Sequence, residues 1–245
     1  MINYNKLYES GKLSDKILHH GYHRIYPWFL NHFQDVEKLN ILEIGVDQSN
    51  SVKMWLNFFK NPNIVVMDIE IKMVEKARFI KLDQSSEVEL NNYAINNLAI
   101  HDIILDDGSH VPDHQLKTLI HFWKTLKPGG IYIIEDIETS FWGKSNIYGY
   151  KFNSSKNNFF KKILNSVEIV NFEFFKSKKF KLNNIELIMK DVEMVSFSYN
   201  SIILVKKHAD FIEYYNRDYR FKNKINEDSF LNLLISKFKH LFLNV

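Results

Sequence analysis

The sequence of 245 residues predicts an α/β fold, a doubly wound sheet that is mostly parallel and ends in a C-terminal antiparallel hairpin. Two observations predict this fold. From residue 39 onward, short apolar runs alternate with helical stretches, a pattern typical of βαβ units whose helices cover both faces of a sheet. After residue 150 this alternation stops, and two extended segments joined by a short polar turn indicate a hairpin.

Each element of the first part follows from its own pattern. Strands are predicted where apolar residues run together, and helices where polar capping residues precede apolar residues at helical spacing. The predicted strands are 39–46, 64–69, 78–82, 102–105 and 131–134, and the predicted helices are 50–59, 87–98 and 112–126. The sequence KPGG at 127–130 predicts a turn that ends the third of these helices.

The second part of the chain is predicted to complete the same domain. A helix is expected at 159–164, extended segments at 185–189 and 191–198, and a turn at 199–201 before a strand at 202–206. The pattern at 230–242 predicts an amphipathic helix that docks on the domain or on a second subunit, a membrane surface being the alternative. We therefore expect a single domain over 1–245, with a helical cap at 1–38, a core at 39–206 and a helical extension at 207–245.

Composition limits the classes of function. The chain has no cysteine, which excludes disulfides, thiolate metal sites and cysteine nucleophiles. Its net charge of +3 lacks the strong basic bias of a nucleic-acid-binding protein. No apolar run is long enough to span a membrane, and the polar N-terminus shows no signal peptide, so a cytoplasmic location is expected.

Two predicted strands end in paired acids. Asp106 and Asp107 follow the fourth strand, and Glu135 and Asp136 follow the fifth. Because parallel strands bring their carboxyl ends to one edge of a sheet, we expect Asp107, Glu135 and Asp136 to lie together. Hard oxygen ligands of this kind suit Mg²⁺ or Mn²⁺. The alternative is structural, with Asp107 capping the next helix and the acids of the fifth strand pairing with lysines.

A nucleotide-like site is expected at the same edge. Gly45 follows the first strand, where a tight turn lets the backbone approach a ligand. Asp68 ends the second strand, where an acid accepts hydrogen bonds from ribose hydroxyls, and Asp83 with Gln84 follows the third strand toward an adenine. A dinucleotide fingerprint needs three glycines, so a nicotinamide-dependent oxidoreductase is disfavoured. The alternative is a glycine bend beside a solvated acid.

Several longer sequence motifs resemble those of a known family. An E-x-G after the first strand, acids after the second and third, a PGG turn and a late hairpin resemble the class I S-adenosylmethionine-dependent methyltransferases over residues 39–206. The strings LEIGV, DQS, DDGSH and LKPGGIYIIEDIETSFW are similar to those of the metal-dependent sugar O-methyltransferases of the mycinamicin type. The segment 14–26 resembles the part of that family that covers the cofactor. Its histidines, His19, His20 and His23, are spaced as metal ligands can be, but the cofactor-covering interpretation is favoured.

The resemblance implies a fold, cofactors and residue roles. The fold would be a Rossmann-like methyltransferase sheet, and the cofactors would be S-adenosylmethionine and Mg²⁺ or Mn²⁺. The cofactor-binding residues would be Tyr22, Glu43, Gly45, Asp68, Asp83, Gln84 and Asp106. The metal ligands would be Asp107, Glu135 and Asp136. His110 would act as the general base that removes the proton of the acceptor hydroxyl, with His114 as the alternative base.

The resulting hypothesis is a metal-dependent O-methyltransferase that acts on a sugar hydroxyl. The sugar would be nucleotide-linked, part of a polysaccharide or part of a natural product, and Phe141, Trp142 and Tyr148 would stack on its face or simply pack. A nucleic-acid partner and a transmembrane segment are not expected, and a homo-oligomer is left open. The alternatives are the same fold methylating a phosphate, an amine or a catechol-like acceptor, and a non-catalytic ligand-binding subunit.

Overall fold

A computed structural model of the chain describes residues 2–142, 159–174 and 182–209. Its centre is a sheet of seven strands, β1 Leu39–Ile44, β2 Pro62–Asp68, β3 Arg78–Lys81, β4 His101–Asp106, β5 Leu126–Glu135, β6 Val192–Ser198 and β7 Ser201–Lys206. The strands lie in the order β3-β2-β1-β4-β5-β7-β6. Strands β1 to β5 pair in parallel, and β7 runs antiparallel to both β5 and β6. The predicted fold class, with its mostly parallel sheet and C-terminal hairpin, is confirmed.

Helices precede the sheet and connect its strands. The α-helices are α1 Tyr4–Ser10, α2 Asp15–Leu18, α3 Pro27–Leu30, α4 Asn50–Phe58, α5 Glu87–Ile95, α6 Pro112–Phe122, α7 Phe159–Ser166 and α8 Asn184–Lys190. Helices of the 3-10 type span Tyr22–Arg24, Asn31–Phe33, Trp123–Thr125, Ile137–Phe141 and Val167–Phe174. The helices predicted between the strands and the helix predicted at 159–164 are present with slightly different ends. The helix predicted at 230–242 lies outside the described residues.

Residues 185–189, predicted to be extended, form part of helix α8 instead. The side chain of Asn183 accepts hydrogen bonds from the backbone N–H groups of Ile185 and Glu186, and the Glu186 carboxylate accepts one from the backbone N–H of Asn183. This reciprocal capping stabilises the first turn. Ile185, Ile188 and Met189 are buried at helical spacing. A short apolar run fits a strand or a helix, and here the cap decides between them.

The KPGG sequence, predicted to be a turn, lies within strand β5. The strand begins at Leu126, and Gly129 within it has a φ of +75°. The pairing of β4 with β5 shifts register between His101 and Ile103. The glycine therefore accommodates an irregularity in a continuous strand rather than a turn between two elements.

The central strands separate two hydrophobic cores. Leu42 and Ile104 lie in a core packed against α5 to α8, whereas Ile41 and Ile103 lie in a core packed against α1 to α4. Both faces of the sheet are thus covered, as expected for a doubly wound fold. Functional side chains are therefore confined to the ends of the strands. In the described part of the chain, no helix has the length and apolarity needed to cross a bilayer.

Candidate active site

The register of the central strands brings the predicted acids to one edge of the sheet. Ile44 of β1 pairs with Asp106 of β4, and Asp106 pairs in turn with Ile134 of β5. The residues that follow these three positions therefore emerge side by side. Two of them are acids, Asp107 and Glu135, and the backbone N–H of Asp107 donates to the carbonyl oxygen of Ile44 at 2.9 Å.

Asp107, His110 and Asp136 converge at this edge. One ligand atom from each lies within 4.8 Å of the others, which is close enough to hold one metal ion. The backbone makes this convergence possible, because His110 and Asp136 have φ values of 54° and 52°, in the left-handed region that non-glycine residues rarely adopt. Thr139 Oγ1 donates to the His110 carbonyl oxygen at 2.7 Å and so joins the turn after β4 to the residues after β5.

Asp136 is held from two sides. Its Oδ1 accepts a hydrogen bond from Asn200 Nδ2 at 2.7 Å and lies 3.4 Å from His20 Nδ1, whereas its Oδ2 lies 3.5 Å from His110 Nε2. Burial, reinforced by the nearby Asp107 carboxylate, raises the pKa of Asp136 to about 6. A buried acid with a raised pKa beside a second acid is the electrostatic setting in which a cation binds favourably.

Glu135, the third acid predicted to bind metal, faces a buried lysine. Its Oε2 accepts from Lys16 Nζ at 2.8 Å and its Oε1 accepts from the Tyr26 hydroxyl at 2.6 Å. Lys16 also contacts Asp107 Oδ2, and its ammonium lies 3.5 Å from Glu43 Oε1. Burial alone would lower the pKa of Lys16, but the three surrounding carboxylates raise it well above its usual range. Lys16 therefore stays protonated.

His110 and its alternative, His114, have different surroundings. Nδ1 of His110 is buried without a hydrogen-bond partner, so Nε2 is the nitrogen that faces the acids. His114 Nδ1 lies 2.8 Å from the Ser109 hydroxyl, and burial lowers the pKa of this imidazole. Geometry thus favours His110 over His114 as the base. Among the residues that the structure describes, the trio of His19, His20 and His23 does not form a metal-binding group.

A cleft of about 350 Å³ opens beside Gly45 and Asp107. His19 of the N-terminal segment lines one part of it, and Asp47 and Ser51 line another. Gly45 has a φ of +87°, and a side chain there would collide with the main chain of Asp107. Glycine is therefore required for the β1 and β4 loops to approach each other, whereas the close approach to a ligand expected from the sequence stays a prediction.

Asp68 and Asp83 stabilise the loops around this edge but do not line the cleft. Asp68 Oδ2 accepts from the Val46 N–H at 3.0 Å, and Oδ1 accepts from the Glu70 N–H at 3.0 Å. Burial opposes a low pKa for Asp68, yet these N–H groups and the Lys72 ammonium lower it. The pKa of Asp83 is lowered chiefly by hydrogen bonds from Ser85. Both carboxylates are therefore charged acceptors at neutral pH.

Gln84 and Asp106 form a buried pair behind the cleft. Gln84 Nε2 donates to Asp106 Oδ1 at 2.6 Å, and Gln84 Oε1 accepts from the Ser109 N–H at 2.9 Å. Burial raises the pKa of Asp106 to about 7. Gln84 thus positions the turn that carries the neighbouring acid and histidine.

Tyr22 and Glu43 lie inside the molecule, away from the cleft. The Tyr22 hydroxyl donates to the Asn200 carbonyl oxygen at 3.1 Å, and its ring stacks on Tyr26 with centroids 4.8 Å apart. Glu43 accepts from Trp55 Nε1 at 3.2 Å, and burial raises its pKa. The structure therefore places Glu43 beneath the site as a partner of Lys16, and Tyr22 next to the hairpin turn.

A second cavity, of about 560 Å³, opens on the Asp136 side of the site. Three phenylalanines line it, with ring centroids 5.0 Å apart for Phe141 and Phe160 and 5.5 Å apart for Phe160 and Phe197. His19 lines both this cavity and the cleft, so the two are neighbours on either side of the N-terminal segment. Of the aromatics predicted to contact a sugar, Phe141 lines the cavity, Trp142 is not among its lining residues, and Tyr148 lies outside the described residues.

Sequence reasoning missed two residues of the site. Lys16 sits in the polar N-terminal segment, and nothing in its local pattern separates it from a solvated lysine. Asn200 was assigned only to a hairpin turn, but its φ of 56° and its hydrogen bond make it a partner of Asp136. A turn asparagine next to a predicted acid edge was the available signal for that contact.

Known proteins with similar sequences are sugar O-methyltransferases, whereas no protein-family model matches the chain. The chain is 30% identical over 139 residues to the 8-demethyl-8-alpha-L-rhamnosyl tetracenomycin-C 2'-O-methyltransferase of Streptomyces olivaceus, a match over 53% of this chain and 36% of that protein. It is 33% identical over 132 residues to the mycinamicin VI 2''-O-methyltransferase of Micromonospora griseorubida, over 49% of this chain and 33% of that protein. The chain thus spans about a third of the length of these curated relatives.

The fold has a close counterpart among solved structures. The MycE methyltransferase of mycinamycin biosynthesis, determined in complex with Mg, SAH and mycinamycin VI, superimposes with a TM-score of 0.70 at 20% identity. The superposition covers 85% of this chain and 54% of that chain. The chain described here therefore has the Rossmann-like fold of the S-adenosylmethionine-dependent methyltransferases, and over about half of its length its sequence is similar to the sugar O-methyltransferases.

Proposed function

We propose that this protein transfers a methyl group from S-adenosylmethionine to a sugar hydroxyl with the help of a divalent cation. The observation that carries the proposal is the convergence of Asp107, His110 and Asp136 at the edge of the sheet, where the Gly45 cleft opens beside Asp107. The sequence similarity to sugar O-methyltransferases supports the choice of acceptor.

The acids at this edge fit a hard divalent cation. Asp107 and Asp136 come from two strand ends and offer carboxylate oxygens, the ligands that Mg²⁺ and Mn²⁺ prefer. Such a cation, when bound, would orient two neighbouring hydroxyl oxygens and stabilise the negative charge that develops on one of them. Glu135 belongs to the same acid cluster but lies behind it, on Lys16 and Tyr26.

The cleft beside Gly45 fits the cofactor. Its polar lining and the close approach of the β1 backbone suit a nucleoside, and the N-terminal segment closes one side. Bound there, S-adenosylmethionine would supply an electrophilic methyl group whose leaving group is already in place. Asp68, Asp83 and Gln84 would hold the surrounding loops, with Asp68 as the acid at the end of β2 that suits a ribose.

His110 would accept the proton of the sugar hydroxyl. Its Nε2 faces Asp136, and a sugar hydroxyl placed beside Asp136 would lose its proton to that nitrogen. The phenylalanines of the cavity would pack against the apolar face of the sugar and exclude water. A cytoplasmic location, a role in polysaccharide synthesis and a homo-oligomeric state stay predictions.

The experiment is a methyl-transfer assay with the full chain, S-adenosylmethionine and a panel of acceptors. Glycosides with two neighbouring hydroxyls should gain one methyl group by mass spectrometry, excess chelator should stop the reaction, and Mg²⁺ should restore it. A catechol and a phosphate ester in the same panel test the other acceptor classes. Failure to bind S-adenosylhomocysteine in titration calorimetry would remove the methyltransferase assignment altogether.

A further inference from the structure

Asn200 lies on the turn between β6 and β7 and reaches the acid edge of the sheet. Strand β7 runs antiparallel to β5, and the last pair of this ladder joins Ser201 to Glu135. The residue before Ser201 therefore lies beside the residue after Glu135, which is Asp136. The register of the C-terminal hairpin thus brings a side-chain amide to the proposed metal site.

Both ends of the Asn200 amide are used. Its Nδ2 donates to Asp136 Oδ1 at 2.7 Å, and its Oδ1 accepts from the Glu138 N–H at 2.9 Å. These partners determine the orientation of the amide, because a backbone N–H can only donate and an ionised carboxylate can only accept. An aspartate at this position could not donate to Asp136, and a serine hydroxyl is too short to reach both groups. The site therefore specifies asparagine.

The backbone of Asn200 is held as well as its side chain. Its carbonyl oxygen accepts from the Tyr22 hydroxyl at 3.1 Å and from the Ile137 N–H at 3.4 Å. Its φ of 56° lies in the left-handed region, which asparagine adopts more readily than most other non-glycine residues. The N-terminal segment and the residues after β5 thus fix the amide in place.

The hydrogen bond from Asn200 leaves the second oxygen of Asp136 on the side of the proposed cation. Oδ1 of Asp136 faces Asn200 and His20, whereas Oδ2 faces His110, a member of the group that could hold an ion. The amide is closer to Oδ1, at 2.7 Å, than His20 is, at 3.4 Å. Partners that orient a ligating carboxylate in this way typically change metal affinity by about 10- to 100-fold when they are removed.

We propose that Asn200 is a positioning residue that holds Asp136 with Oδ2 toward the divalent cation. The inference rests on the proposed function, because it assumes that a cation binds at this edge. It does not depend on which other acids bind the cation, and it does not require Asn200 to touch the metal or the substrate. Substitution of Asn200 should therefore act on metal affinity through Asp136.

The test compares two glycine substitutions and is read by metal affinity rather than by turnover. Asn200→Gly removes the amide but suits the left-handed backbone, and Ala99→Gly, at a φ of 49° in the loop before β4, is the matched control. Mn²⁺ alone is titrated into the full chain, and free Mn²⁺ is measured by electron paramagnetic resonance. Asn200→Gly should weaken Mn²⁺ binding by about 10- to 100-fold, whereas Ala99→Gly should bind Mn²⁺ as the wild type does.

Two further measurements separate positioning from a purely structural role. The melting temperature of Asn200→Gly should stay at or above the wild-type value, because glycine suits the turn. Its affinity for S-adenosylhomocysteine, measured by titration calorimetry, should stay close to the wild-type value, since Asn200 is not among the described residues that line the Gly45 cleft. If the melting temperature and both affinities fell together, Asn200 would be a structural turn residue and the inference would be overturned.

The remaining outcomes distinguish the inference from the proposed function. If the wild type binds Mn²⁺ and Asn200→Gly binds it equally tightly, the inference is overturned while the function stands. If the wild type binds no Mn²⁺, both fail. Should Asn200→Gly not fold, Asn200→Ser takes its place, because serine is tolerated in turns and its hydroxyl cannot make both bonds. The same loss of Mn²⁺ affinity is expected for that variant, and wild-type affinity in it would overturn the inference.

Discussion

The two ends of the parallel strands use charged side chains in opposite ways. At the amino end, Lys127 Nζ donates to both oxygens of Asp102, at 2.9 and 2.8 Å, and the Asn40 N–H donates to Oδ2 at 2.8 Å. Next to this pair, His101 Nε2 lies 2.9 Å from the Tyr93 hydroxyl, and burial keeps the imidazole neutral by lowering its pKa to about 4. The charges of Lys127 and Asp102 therefore match, and the neighbouring histidine is neutral.

The carboxyl end has an excess of acids. One ammonium, Lys16, faces three carboxylates, and a fourth, Asp136, lies beyond its reach with a pKa raised to about 6. The paired charges at the amino end stabilise the fold. The carboxylates in excess at the carboxyl end are available to bind a cationic ligand. Changes at the carboxyl end should therefore lower activity, whereas changes at the amino end should lower stability alone.

The largest expected effect is at His110. As the proposed general base, it would contribute about 10²–10⁴-fold to the chemical step, so His110→Ala should lower kcat by that factor and leave binding of S-adenosylhomocysteine nearly unchanged. His114→Ala is the matched control, because it removes a nearby histidine in the first turn of α6 that is hydrogen-bonded to Ser109. Single-turnover rates for both variants check the prediction. If His114→Ala lost most of its single-turnover rate while His110→Ala kept a normal rate, His114 would be the general base.

The second effect concerns pH and the amino end. His101 has a pKa of about 4 in the folded protein against 6.5 when unfolded, so between these values the unfolded state binds more protons. The stability contributed by the neutral His101 is therefore present above pH 6.5 and lost as pH falls toward 4, by up to about 3 kcal/mol. Urea unfolding of wild type and His101→Gln at pH 6.5, 5.5 and 4.5 measures this. Equal pH slopes for the two proteins would contradict it.

The third effect is on cofactor binding. Asp68→Ala should weaken binding of S-adenosylhomocysteine by about 1–3 kcal/mol, because it removes a charged acceptor at the end of β2 together with the hydrogen bond that fixes the Val46 N–H. Titration calorimetry measures the change. Asp113→Ala, which removes an exposed acid paired with Lys117, is the control and should bind normally. If Asp68→Ala bound S-adenosylhomocysteine with unchanged affinity, Asp68 would stabilise only the loop and would not contribute to cofactor binding.

The smallest effect is at Asp102. Asp102→Asn weakens a half-exposed ion pair and keeps an acceptor for the Asn40 N–H, so it should reduce the free energy of unfolding by about 1 kcal/mol or less. Turnover and metal affinity should stay at the wild-type values. The same substitution at the carboxyl end, Asp136→Asn, should abolish metal binding with little loss of stability. If both variants behaved alike, the contrast between the two ends would not hold.

The positions of the parallel strands along the chain and the location of the acid edge could be predicted from the sequence because both follow from local pattern. Apolar runs determine the parallel strands, and acids that follow them must meet at one edge whatever the loops do. The prediction of an extended segment at 185–189 was wrong because five residues are too few to distinguish the apolar period of a strand from that of a helix. The decisive signal was the helix cap formed by Asn183 and Glu186. Local pattern also gave no sign that Gly129 lies inside a strand.

The partners of the acids could not be predicted in the same way. Lys16 is 119 residues from Glu135 in the chain, and Asn200 is 64 residues from Asp136. Such contacts depend on how the N-terminal segment and the hairpin pack, which no periodicity records. The sequence therefore predicts which carboxylates meet, but not which of them are already neutralised by the protein.

The left-handed backbone of His110, Asp136 and Asn200 limits how this protein can be stabilised. All three have φ values between 52° and 56°, a conformation that costs a non-glycine residue about 1–2 kcal/mol. Replacing them with glycine would relieve that cost and raise the melting temperature while removing the groups on which the chemistry depends. Engineering for thermal tolerance should therefore start elsewhere, and libraries selected by stability alone will accumulate inactive members at these three positions.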